Sequence, residues 1–170
     1  RGWSKLGDCK IKTSVDKGMN GNMKALCLGG AGKICRESVY DILQCSDYNK
    51  ITVADVSEGA GLAVVAWLDD HRVYFMKVDV YDREKTVNLV KQYDIVLDGT
   101  TISMNDHTIA PIFESGVHGI NLNGCSLEWD FDKEFKETGK TFVPSVGMTP
   151  GVTNLMAKYA ADWLDTVETI

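Results

Sequence analysis

Lys24-Ala25-Leu26-Cys27-Leu28-Gly29-Gly30-Ala31-Gly32-Lys33-Ile34-Cys35 is the stretch on which the fold turns. Lys24–Leu28 is a short apolar run that ends in glycines, the pattern of a buried strand. Beyond the glycines, Ile34, Val39, Ile42 and Leu43 recur at helical spacing within Lys33–Gln44. A strand, a tight turn and a helix therefore follow one another directly. Set against the pattern G-x-G-x-x-G, Gly30 takes the first position, Gly32 the second and Cys35 the third. The first glycine serves a tight turn, and the second lets a pyrophosphate approach the backbone. The third position needs a small residue where helix and strand pack, and cysteine is tolerable there. Lys33 and Ile34 open the helix, whose free N–H groups and positive dipole end would face the phosphates.

The same alternation continues downstream. Ile51–Ala54, Val73–Val78, Ile95–Leu97, Gly119–Leu122 and Thr141–Val143 are expected strands. Helices are expected over Gly61–Leu68, over Thr86–Lys91 with a start near Asp82, and over Asn105–Glu114, Phe131–Glu137 and Thr153–Leu164. Pro111 is expected to kink or split the third of these. Short apolar strands separated by helices imply a parallel α/β sheet covered on both faces. Right-handed crossovers make it a doubly wound, six-stranded sheet with the expected order 3-2-1-4-5-6.

Asp55 ends the second strand, 25 residues after Gly30, close to the roughly 20 expected of a ribose-binding acid. A carboxylate there can accept both ribose hydroxyls of NAD. It would repel the extra phosphate of NADP, and Val56-Ser57-Glu58 supplies no arginine. NAD is therefore expected over NADP. The plain alternative is a glycine-rich turn followed by a surface aspartate. Ligands of doubly wound sheets lie outside the carboxyl ends of the strands. That makes Asp79-Val80, Gly99-Thr100-Thr101 and Asn123-Gly124 candidate contacts, although each is also ordinary turn chemistry.

Other features carry less. Tyr81 and Lys85 have the Y-x-x-x-K spacing of short-chain dehydrogenases, but they precede the fourth strand, whereas in that family the pair follows the fifth. Gly59-Ala60-Gly61 follows no phosphate-facing turn. His71, His107 and His118 are scattered, and His107 lies nearest the ligand edge by strand order. Cys125 also falls near that edge, without an evident activating partner.

Composition sets the outer bounds. The chain has 170 residues, 44% hydrophobic and 25% charged, which suits one globular domain. With 18 basic and 24 acidic side chains the net charge is −6. No like-charged block favours a nucleic-acid or anionic-membrane partner. No apolar run approaches the roughly 18 residues of a membrane span. Cys9, Cys27, Cys35, Cys45 and Cys125 are odd in number and lack a C-x-x-C pair. That argues against a zinc site and for free thiols in a cytoplasmic protein. Residues 1–22 are polar and aperiodic and are expected to be a loose arm, with Met23 as a plausible natural start. Val167-Glu168-Thr169-Ile170 resembles the first residues of a further strand.

From Met23 onward the chain resembles the nucleotide-binding domain of the saccharopine dehydrogenase family. The resemblance rests on Met23–Gly32, on Ile51-Thr52-Val53-Ala54-Asp55, on Asp94–Thr101, and above all on Val146-Gly147-Met148-Thr149-Pro150-Gly151-Val152-Thr153-Asn154, which is similar to the family's G-x-x-P-G segment. It implies a Rossmann-like NAD(P)-binding domain over residues 23–165, with 166–170 beginning an absent substrate domain. It implies an oxidoreductase that acts on the C–N bond of an amino acid, of the saccharopine or lysine type. A small amino-acid substrate would belong to the full-length protein, and the 170-residue chain alone is expected to be inactive. Cys35 departs from the family's usual glycine. A dinucleotide-binding module without turnover, and a truncated gene product, remain alternatives, and a homodimer stays open.

Overall fold

The computed structural model describes residues 22–124 and 132–169. The expected arm, Cys9 and Cys125 lie outside the described residues, save Asn22 at the arm's end. The chain runs β1 (Lys24–Leu28), α1 (Cys35–Cys45), β2 (Lys50–Asp55), α2 (Glu58–Leu68), β3 (Val73–Lys77), α3 (Arg83–Val90), β4 (Ile95–Asp98), a 3-10 turn (Ile102–Met104), α4 (Asn105–Ser115), β5 (His118–Asn121), α5 (Asp132–Glu137), β6 (Phe142–Val143) and α6 (Val152–Ala161). The six strands form one sheet in the order β3-β2-β1-β4-β5-β6, and every pair is parallel. This is the expected doubly wound, Rossmann-like α/β fold.

Strand alternation divides the core. On one face Leu26, Leu28 and Val96 pack with Leu89 and Val90 of α3 and Ile112 of α4. On the other, Cys27, Val53 and Leu97 pack with Val39 and Leu43 of α1 and Val64 of α2. All twelve are less than a tenth exposed, and burying a side chain of this size contributes roughly 1.5–3 kcal/mol. Side chains at i and i+2 of a strand share a face. That is why Leu26 and Leu28 serve one layer while Cys27 serves the other.

α4 runs through Pro111 as one helix, so the expected split does not occur. Pro111 is buried within it, and the hydroxyl of Ser115 donates to the Pro111 carbonyl at 2.6 Å. α2 begins at Glu58, ahead of the expected Gly61. The helix lies so close to β3 that a side chain on Gly61 would run into the ring of Phe75. The Gly147–Gly151 segment closes on itself before α6: the Gly147 amide donates to the Pro150 carbonyl at 3.0 Å, and the Gly151 amide donates to Asn154 Oδ1 at 3.0 Å.

Candidate functional site

In the order 3-2-1-4, the chain leaves β1 toward β2 on one side and returns to β4 on the other. The crevice between the loops after β1 and β4 is therefore where a doubly wound sheet offers a binding site. Gly29 adopts φ +65°, the left-handed region that favours glycine, and turns the chain out of β1. The Gly30 amide donates to the Ala54 carbonyl at 3.2 Å, tying the turn to β2. A Cβ on Gly30 would stand 2.8 Å from the Cys27 carbonyl oxygen, so no side chain fits there. The Gly32 amide donates to the Gly29 carbonyl at 2.9 Å and closes the turn. After β4, the Gly99 amide donates to the Leu28 carbonyl at 2.9 Å, which locks the two loops together.

The amides of Lys33, Ile34 and Cys35 then find no acceptor among the described residues, and no side chain caps α1. Lys33 and Ile34 are exposed. A bare helix start of this kind presents N–H donors and a partial positive charge to an anion.

Asp55 stands beside the turn. Its Oδ2 accepts from the Ala31 amide at 3.2 Å and its Oδ1 from the Ser57 amide at 3.0 Å. Each oxygen keeps acceptor capacity for a further donor. Lys77 is its register partner on β3, but the Lys77 ammonium faces Glu58 at 3.9 Å.

The loop after β3 is held from within. Asp79 Oδ1 accepts from the Tyr81 amide at 3.0 Å, and the Val80 side chain is buried in the core. Val80 therefore anchors the loop, while Asp79 is exposed on it.

The loop after β4 is organised by a residue that was not singled out from the sequence. Asp98 is fully buried and its carboxylate takes four donors. Oδ1 accepts from the Thr100 amide at 3.0 Å and the Thr100 hydroxyl at 2.6 Å. Oδ2 accepts from the Thr108 hydroxyl at 2.5 Å and from Asn121 Nδ2 at 2.8 Å. Asn123 Nδ2 donates to the Thr100 carbonyl at 2.6 Å, while Thr101, exposed, shares a hydroxyl contact with Ser103 at 2.9 Å. Strands β4 and β5, the Gly99-Thr100 turn and α4 thus meet on one carboxylate. Nearby, both amide atoms of Asn105 and Asn121 Oδ1 are buried without a partner among the described residues. An aspartate before a glycine looks like a turn in the sequence; its partners ten and 23 residues away give no local signal.

The remaining candidates find other places. Burial, then the Asp98 and Asp55 carboxylates, push the Cys35 thiol up to about 12. Its Sγ lies 3.8 Å from the Leu28 carbonyl, so it is a packing group with no nucleophilic character at neutral pH. Lys85 pairs with Asp82 at 2.6 Å in the first turn of α3. His118 Nδ1 accepts from the Thr141 amide at 3.1 Å, and His71 sits beside Asp70. His107 packs against Tyr81 with ring centroids 4.4 Å apart. Among the described residues there is no group of three or more His, Cys, Asp or Glu arranged to hold a metal, and no helix long and apolar enough to cross a membrane.

The glycine turn, the uncapped start of α1 and the acceptor at the end of β2 suit the pyrophosphate and ribose of a dinucleotide. Residues 25–143 match the family model of the saccharopine dehydrogenase NADP binding domain. Apo saccharopine dehydrogenase (L-Glu forming) from Saccharomyces cerevisiae superposes with a TM-score of 0.70 at 19% identity, over 82% of this chain and 31% of that one. Shikimate dehydrogenase from Mycobacterium tuberculosis superposes with a TM-score of 0.56 at 11% identity, over 72% of this chain and 46% of that one. At such identities the structural likeness speaks for the fold alone. The chain spans less than half the length of either protein.

Proposed function

The chain belongs to the family of saccharopine dehydrogenase NADP-binding domains, and we propose that it is the cofactor half of an oxidoreductase acting on the C–N bond of an amino acid, of the saccharopine or lysine type. As a member of that family it is a nicotinamide dinucleotide-binding domain of an oxidoreductase family. The observation that carries the reading is the glycine turn that opens α1 with three amides lacking acceptors among the described residues, beside the anchored carboxylate of Asp55.

Each residue has a role in this reading. Gly30 and Gly32 bring the backbone close enough for a pyrophosphate to reach the amides of Lys33 and Ile34. Asp55 accepts the 2′- and 3′-hydroxyls of the adenosine ribose, which favours NAD over NADP. Asp79 and the backbone of Val80, whose side chain anchors the loop in the core, line the crevice on one side and Gly99, Thr100, Thr101 and Asn123 on the other, and Asp98 holds the second of these loops in place. The nicotinamide, when bound, supplies hydride transfer. A small amino-acid substrate would be positioned by further protein, so the 170-residue chain binds cofactor without turning over saccharopine or lysine. The buried free thiols Cys27 and Cys35 accord with a reducing, cytoplasmic setting.

Calorimetric titration of the purified chain with NAD and with NADP tests the reading. Saturable binding of either, with NAD tighter, is expected. No binding of either would overturn it, and NADH formation by the chain alone with saccharopine or lysine would overturn the division of labour.

A further inference from the structure

Among the described residues, Tyr81 and His107 form a pair of packed aromatic rings at the carboxyl edge of the sheet that the roles above leave unused. Tyr81 follows β3 and is 59% exposed. It is nevertheless held from both sides: its amide is bonded to Asp79 Oδ1 at 3.0 Å, its neighbour Val80 is buried, and Asp82 caps α3 by accepting from the Lys85 amide at 3.2 Å. His107 lies in the first turn of α4, next to Thr108, which is fixed to Asp98. The two rings stand 4.4 Å apart and tilted by 58°.

Their place in the fold gives the pair a meaning. The loop carrying Tyr81 starts level with Asp55, because the Val78 amide donates to the Asp55 carbonyl at 3.0 Å. α4 follows the loop after β4, which is bonded to the end of β1. The pair therefore bridges the loop after β3 and the start of α4, on the α3/α4 side of the β1 and β2 ends. An aromatic ring that is fixed and yet mostly in solvent is a stacking surface whose ordering is complete before any ligand arrives. From these placements we propose that Tyr81, buttressed by His107, is the stacking platform for the purine base of the dinucleotide. This rests on the dinucleotide reading: with the ribose at Asp55 and the pyrophosphate at α1, the base is the part still without a seat.

Stacking of a base on an aromatic side chain is sensitive to removal of the ring and insensitive to its hydroxyl. The test is calorimetry with NAD, AMP and nicotinamide mononucleotide, on the unmodified 170-residue chain and on Tyr81→Leu and Tyr81→Phe. Tyr81→Leu should weaken NAD and AMP about tenfold, as loss of one stacked base does. It should leave nicotinamide mononucleotide, which has no purine, within twofold, and Tyr81→Phe should bind all three like the parent. His107→Leu should weaken NAD and AMP by a smaller factor through loss of the buttress. Unchanged NAD and AMP affinity in Tyr81→Leu would overturn the proposal while leaving the dinucleotide reading intact. Equal weakening of nicotinamide mononucleotide would overturn it too, by showing a general disturbance of the site. A parent chain that binds neither NAD nor NADP would overturn both readings together.

Discussion

Cys35 occupies the space that a side chain on Gly99 would need: a Cβ built on Gly99 would lie 2.5 Å from both Cβ and Sγ of Cys35. The substitution that makes the glycine fingerprint irregular on one side of the crevice is matched by a glycine on the other. The thiol fills the gap between the start of α1 and the loop after β4 and is almost fully buried.

Gly99→Ala should therefore overpack this contact and cost about 1–3 kcal/mol, a fall in Tm of roughly 2–4 °C per kcal/mol for a chain of this size. In a Cys35→Gly background the same change should cost less, with a coupling of at least about 0.5 kcal/mol. Strictly additive losses in thermal denaturation would show that the two residues do not share this space.

Asp98→Ala removes an acceptor from four donors, of which the Thr108 hydroxyl and Asn121 Nδ2 are in buried contacts. Each buried donor left unpaired costs about 1–3 kcal/mol, so a loss of about 3 kcal/mol is expected. Asp98→Asn should be milder but still destabilising, because its amide would meet two donors at Oδ2 with a donor of its own. Denaturant unfolding that left either variant at the parent's stability would show that the network is dispensable.

Much of this was legible in the sequence, and what was missed has local causes. β1 and the core of β2 are continuous apolar runs, and the acid at the end of β2 falls at the expected distance from the glycines, so fold and candidate crevice could be read together. Lys50 belongs to β2 although it is charged, because its ammonium rests 5.4 Å from the ring of Tyr74 and 5.7 Å from that of Tyr93. The second helix was expected from Gly61 and α2 begins three residues earlier, at Glu58, taking in Gly59 as well; close packing on Phe75 leaves room for nothing larger than glycine at position 61. The Asp98 network was invisible because its donors come from three separate elements. Position in a strand can be read from neighbours in sequence, whereas a buried polar cluster needs neighbours in space.

Arg72 ties the end of α1 to the start of β3. Its guanidinium donates to the Leu43 carbonyl at 3.1 Å and the Ser46 carbonyl at 3.3 Å, and it is held by Asp70 at 3.1 Å. Arg72→Ala should cost about 1 kcal/mol, chiefly through the carbonyls left without a donor. Hydrogen bonds from Arg72 hold the Asp70 carboxyl down, to about 2. A lowered folded-state value means that this contribution is fully present above the unfolded value of roughly 3.9 and is lost as pH falls through about 2. The stability gap between the chain and Asp70→Asn should therefore be constant from neutral pH to about 5 and close below about 4. A gap that widened on acidification would contradict the assignment.

Cys27 and Cys35 are buried, and burial raises both thiols, Cys35 to about 12 and Cys27 well above its ordinary value. The thiolate is the reactive form. Iodoacetamide at pH 8 should leave both unmodified in the native chain and label both after unfolding in guanidinium. Peptide mass spectrometry reads this residue by residue, and rapid native labelling of Cys35 would place it at an open surface instead of behind the glycine turn.

The choice of cofactor is the sharpest consequence of the site. The Asp55 carboxylate is already oriented by the Ala31 and Ser57 amides, so it can receive ribose hydroxyls without reorganising. Hydrogen bonds to a charged acceptor are worth roughly 1.5–3 kcal/mol each. A 2′-phosphate in the same place would set two anions together, and the register partner Lys77 directs its ammonium to Glu58. NAD should therefore bind more tightly than NADP. Asp55→Ala should weaken NAD about tenfold or more, at roughly 1.4 kcal/mol per decade, and leave NADP unchanged or tighter. Calorimetry on both proteins with both cofactors decides it. Tighter binding of NADP by the unmodified chain would mean that Asp55 does not hold the ribose, and Lys77 and Ser57 would then be the residues to replace in search of the 2′-phosphate contact.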